Sequence, residues 1–211
     1  MDKLDRIAEQ ALQALEERHK AREKALGLSR GLTRHSANTI RAVHRGEFQK
    51  AEEMLAEGRD VVEQFKVDLV EQPIIYGAGY IQSALKEFVE ASVTYALITG
   101  RPLPGPDELG VDYPAYLNGL GEAMGELRRA ILDLIRHGDV ARGEDLLSTM
   151  DEVYGVLVTV DYPDAITGRL RRTTDMVRGV LERTRGDLTM AVRQQELEKT
   201  LKEFEDKVLD Q

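Results

Sequence analysis

Apolar residues recur every three or four positions along nearly the whole chain, and no stretch shows the period of two that a half-buried strand requires. The pattern predicts an all-α protein of about seven helices in a single domain. The first helix is expected over about Asp2–Arg45, with Gly27 and Gly31 as places to bend and Gly46 as its stop. The second covers about Phe48–Val70 and ends before Pro73. The third, about Tyr76–Thr99, is the most apolar. Three prolines then force a loop across Gly100–Pro106. A fourth helix is expected from about Pro114, suited to a first turn, to His137, and a fifth over about Val140–Val160. Pro163 opens a sixth, to about Arg185, with Asp164 placed well for the helix dipole. The seventh runs from Asp187 or Leu188 to the end, and its charged part, residues 196–211, is expected to fray. Gly77, Gly79, Gly119, Gly121 and Gly125 cost helix propensity where they stand and predict close helix contacts.

Two pairs of carboxylates interrupt the apolar pattern, Glu87 and Glu90 on the third helix and Glu122 and Glu126 on the fourth. Residues three or four apart share a helix face, so each pair points one way, and packing of the two helices would bring four carboxylates together. Buried carboxylates that close must protonate, pair with Lys or Arg, or hold a cation. An all-oxygen donor set favours Mg²⁺, Mn²⁺ or Ca²⁺ over zinc. The competing reading is that one or both pairs face water, as most glutamates do.

A chain of 211 residues, 42% hydrophobic, is long enough to bury a core. It has no run of about 18 uncharged apolar residues and no signal-like start, so a cytoplasmic protein without membrane contact is expected. With no cysteine, thiolate chemistry and Cys-ligated zinc are excluded. The net charge of −9 argues against a polyanion partner, but its distribution argues for one. Between Arg18 and Arg45 eight Lys or Arg stand against one acid, Glu23. A second basic run spans Arg169–Arg185, while acids concentrate in Glu52–Asp60, Asp107–Glu108 and Glu196–Asp210. A solvated helix face would also explain either run.

Four segments together resemble the translin family, and within it the translin-associated factor X branch. They are Arg22–Leu26 with Leu28–Arg30; Ile40–Gly46; Glu87–Ala91; and Tyr116–Leu120 leading to Gly125–Arg129. The resemblance extends from about residue 5 to residue 195. It implies an all-α fold, assembly into an octameric hollow barrel, as a homo-octamer or with a translin-type partner subunit, and binding of single-stranded RNA or DNA. In the factor X branch four acids hold Mg²⁺ and cut single-stranded RNA, and they match Glu87, Glu90, Glu122 and Glu126 here as catalytic and metal-binding residues. The chain departs from that pattern at Glu122, where the active branch more often has Asp. The implied activity is a Mg²⁺-dependent endoribonuclease, with Mn²⁺ as an alternative ion. The first helix then reads as the surface that tracks the strand, through Arg30, Arg34, Arg41 and Arg45, whose spacing puts them roughly on one stripe. Stacking platforms are scarce, and Tyr76 and Tyr80 are candidates for base contact or for packing alike. Binding is expected to be salt-sensitive and nearly blind to sequence.

Three rival readings stand beside this one. A non-catalytic, translin-like binder of single-stranded nucleic acid would differ only in lacking metal-dependent cleavage. A di-iron carboxylate bundle needs two Glu-x-x-His motifs, and only Glu16 with His19 fits. A purely structural helical oligomer would leave the acids unexplained. His137 reads as a helix cap, and His35 and His44 as candidates for phosphate contact. Phosphate loops of the Walker or Rossmann type are absent.

Overall fold

The computed structural model of the chain describes residues 2–209; Met1, Asp210 and Gln211, counted above in the single domain and the last two also in the charged end, lie outside the described residues. Those residues form helices and connections without a strand. The long helices are α1 (Asp2–His44), α2 (Phe48–Leu69), α4 (Gly79–Thr99), α6 (Tyr113–Arg136), α7 (Val140–Leu157) and α9 (Leu170–Leu209). Single turns precede three of them: α3 (Pro73–Tyr76), α5 (Pro106–Leu109) and α8 (Asp164–Thr167). No described helix is long and apolar enough to cross a membrane.

The boundaries at Gly46 and Gly138 fall where the sequence places them, and both glycines have the positive φ that favours glycine. Several expectations change. The sixth predicted helix stops after one turn, because Gly168 (φ 61°) and Arg169 (φ 69°) are both left-handed. The expected break near Gly186 is absent. Val177, Leu181, Thr184 and Leu188 continue one buried stripe through it, so the sixth and seventh predicted helices are a single α9. Likewise α1 is unbroken at Gly27 and Gly31, and the charged end remains helical to Leu209.

α4 lies at the centre, packed between α1 and α6; α2 covers α1, and α7 with α9 cover the far side of α6. Its central position explains its apolar sequence: Ile81, Ala84, Leu85, Phe88, Val89, Ala91 and Val93 are all essentially inaccessible. The contact between α4 and α6 is set by Gly119. A Cβ there would stand 2.5 Å from the Lys86 carbonyl oxygen and 2.6 Å from Val89 Cβ. Gly121 plays the same part toward Thr173 of α9. Gly77, Gly79 and Gly125 do not: the first meets only its own turn, the Pro73 carbonyl oxygen at 3.4 Å, and the others face open space. Both long outer helices overrun this core, with every residue of α1 from Asp2 to Lys20 and of α9 from Arg193 to Val208 exposed.

Candidate active site

Glu122 lies one turn beyond Gly119, so the close approach of α6 to α4 also brings Glu122 and Glu126 toward Glu87 and Glu90. The four acids lie in one another's electric field. Burial pushes the Glu90 carboxyl up to about 7, and Glu122, Glu126 and Glu87 all add to the rise while Lys86 opposes it. Glu87 is also raised, first by burial, with Lys86 and a hydrogen bond donated by Thr33 of α1 acting against it.

The other two acids have cationic or donor partners. His44 Nε2 donates to Glu126 Oε2 at 2.5 Å, with only 5% of the His44 side chain exposed. This bond holds the Glu126 carboxyl below the ordinary range, against the effect of burial, and Arg129 at 3.8 Å adds to it. Lys86 Nζ donates to Glu122 Oε1 at 2.6 Å. Glu90 alone of the four has no hydrogen-bonding side chain or ion-pair partner among the described residues. With Glu122 and Glu126 so engaged, no three His, Asp or Glu side chains among the described residues gather closely enough to form a finished ion cage. The donor chemistry nonetheless suits a hard divalent cation: four carboxylates, one of them charged only at a cost that a cation would relieve.

α1 supplies both the roof of this cluster and the flank beside it. Thr33 and His44 are eleven residues apart, about three turns, and fall within about 20° of each other at about 100° per residue. On the same basis Arg30, Arg34, Arg41 and Arg45 lie about 60–120° further round. All four arginines are exposed, and Arg41 bonds Asn38 within its own helix. The stripe therefore runs along the exposed side of α1, round from the residues that face the acids.

The histidines sort differently from their sequence context. His44 faces Glu126 rather than outward as a phosphate contact, because it sits on the inner stripe of α1 and not among the arginines. His35 pairs with Glu57 of α2 at 3.1 Å. His137 caps α6, its Nδ1 bonding the Asp133 carbonyl oxygen at 2.7 Å. Glu16 pairs with Lys20 at 3.4 Å on the exposed part of α1. Tyr76 and Tyr80 are half-buried against the core. Sequence reasoning missed three residues that hold the acids: His44, Lys86 and Thr33. The eleven-residue spacing of Thr33 and His44 was the available signal.

No family model matches the chain. An uncharacterized protein of Methanocaldococcus jannaschii is 32% identical over 184 residues, covering 86% of this chain and 81% of the relative. Among solved structures, AfC3PO in complex with duplex RNA superposes with a TM-score of 0.82 at 34% identity, over 87% of this chain and 95% of that one. AfC3PO in a second structure gives 0.81 at 33%, over 87% and 96%. Apo-NeC3PO, at 21% identity, shares the fold, with a TM-score of 0.76 over 90% of this chain and 98% of that one. The helical order, the paired acids on facing helices and these likenesses place the chain in the translin family.

Proposed function

We infer that the chain binds RNA and cuts it as a Mg²⁺-dependent endoribonuclease, acting on single strands inside a hollow homo-oligomer. The observation that carries the reading is the mutual electrostatic influence of four carboxylates on the packed helices α4 and α6, together with an exposed arginine stripe on α1. RNA binding is supported by the likeness to AfC3PO, which is seen in complex with duplex RNA. The arginines hold the phosphates without reading bases. Glu87, Glu90, Glu122 and Glu126 are the residues that would hold Mg²⁺, with Mn²⁺ as the alternative, and binding would draw Glu122 from Lys86. When bound, the ion supplies positive charge against the phosphodiester and an acidified water. His44 then remains beside Glu126 to orient it, and Lys86 stands free next to the strand.

A second reading, a binder without catalysis, is favoured by one observation: Lys86 and His44 already satisfy Glu122 and Glu126 without any ion. Incubation of the protein with end-labelled single-stranded and duplex RNA, with Mg²⁺ or chelator, separates the two. Metal-dependent cleavage of the single strand that Glu126→Gln abolishes while binding survives is the expected result. Binding with no cleavage in any divalent ion would establish the binder, and cleavage of the duplex alone would overturn the substrate.

A further inference from the structure

Next to the acids, an open cavity of about 630 Å³ lies between α3, α8 and the first turns of α4 and α6. Its size falls in the range of small-molecule sites. Lys86 belongs to both places: its Nζ holds Glu122 at 2.6 Å, and its side chain lines the cavity wall. A group held in the cavity is therefore one side chain away from the candidate metal ligands.

The lining selects a class of ligand. Pro73, Tyr76, Pro114 and Ile166 provide apolar walls. Two carboxylates and an amide oxygen supply acceptors among them. Gln82 donates one Nε2 hydrogen to the Tyr76 carbonyl oxygen at 3.0 Å, which leaves its Oε1 and the second Nε2 hydrogen for a ligand. Asp112 and Asp164 line the cavity with carboxylates that have no ion-pair partner among the described residues. Lys86 is already neutralised by Glu122, so the interior has no excess positive charge to attract an anion. Apolar walls edged with acceptors suit a flat heterocycle that carries N–H donors.

The remaining cation sits at the cavity's edge. Arg169 follows Gly168 in a second left-handed conformation, a strained arrangement for a side-chain-bearing residue and one that clusters at functional sites. Its guanidinium has no ion-pair partner among the described residues, and it lines the cavity opposite Lys86's helix.

We propose that this cavity receives the nucleobase of the nucleotide next to the phosphodiester lying over the acids, and that it selects bases bearing an exocyclic amine over uracil. The position of the strand rests on the nuclease reading; the capture of a base does not. Entry requires the base to leave its stack, which single strands and frayed ends permit far more readily than a duplex interior.

The test uses the full chain in chelator, titrated with AMP, CMP, UMP and ribose 5-phosphate and read by ligand-observed NMR. Ser83→Tyr on α4 and Ala165→Tyr on α8 each place a ring in the cavity from exposed positions on separate elements. AMP and CMP are expected to bind more tightly than UMP, and either variant to weaken them about tenfold, the scale of one lost base contact. Ribose 5-phosphate binding as tightly as AMP would overturn base recognition, and equal binding of UMP would overturn amine selection. Unchanged AMP affinity in both variants would overturn the location. Should neither variant fold, the order of the four ligands on the unaltered chain still decides the chemistry. A chain that captures AMP here yet cuts no RNA refutes the nuclease reading alone.

Discussion

His44 and Glu126 are 82 positions apart and meet at 2.5 Å, the Nε2 proton of the imidazole directed at one carboxylate oxygen. The contact ties the end of α1 to α6 across the acid cluster. Removing it in His44→Ala should raise the Glu126 pKa, since donation by His44 is the largest influence lowering it. A depressed carboxylate contributes stability above its unfolded pKa of 4.5 and loses it as pH falls through the folded value, so the variant should lose the advantage at neutral pH and keep none to lose in acid. Carboxyl NMR titration of the metal-free protein checks the shift. Under the nuclease reading, cleavage should fall about 10–100-fold or need more Mg²⁺, as when other residues that orient metal ligands are lost.

Glu90 behaves in the opposite sense. Its pKa is raised from 4.5 to about 7, so the folded chain favours the protonated acid, and that stability is complete below 4.5 and gone once pH rises through about 7. Up to about 3 kcal/mol is at stake over that window. In chelator, Glu90→Gln should melt higher than the parent at pH 8 and about level with it at pH 5. A parent whose melting temperature tracks the variant at both pH values would refute the buried charge.

Gly119→Ala puts a methyl group against the Lys86 carbonyl oxygen and Val89 Cβ, neither of which can rotate away. Separation of α4 from α6 should cost about 2–3 kcal/mol by denaturant unfolding, in line with overpacked cores. Gly125→Ala, six residues on and facing open space, should instead be neutral or stabilise by up to about 1 kcal/mol. Equal effects of the two would show that helix propensity, and not contact, governs both.

Arg34→Ala and Arg45→Ala should each weaken RNA binding at low salt and flatten its dependence on log salt by about 0.7 for a single strand. Titrations at several salt concentrations check this. Loss of affinity without a change in slope would mean that neither side chain touches phosphate.

The sequence carried the helical class, the stops at Gly46 and Gly138 and the pairing of the acids, because each is written in local spacing or in a residue that only one backbone conformation suits. It did not carry the continuity of α9: Gly186 looks like a stop in isolation, and only the buried stripe from Val177 to Leu188 overrides it. Nor did it carry the partners of the acids. Lys86 lies beside Glu87 in the chain but serves Glu122, and His44 sits within a basic run yet turns inward, both choices fixed by how α1, α4 and α6 pack.

The arginine stripe has a length as well as a charge. From Arg30 to Arg45 the rigid rise of α1 is about 22 Å. At about 3.4 Å of axial rise per nucleotide along one strand of a stacked helix, that distance matches about six nucleotides. A helix cannot stretch to suit its cargo, so under the proposed RNA-binding reading the stripe would act as a ruler: fragments shorter than this footprint should forfeit contacts and dissociate, while longer ones should gain nothing further from the same helix.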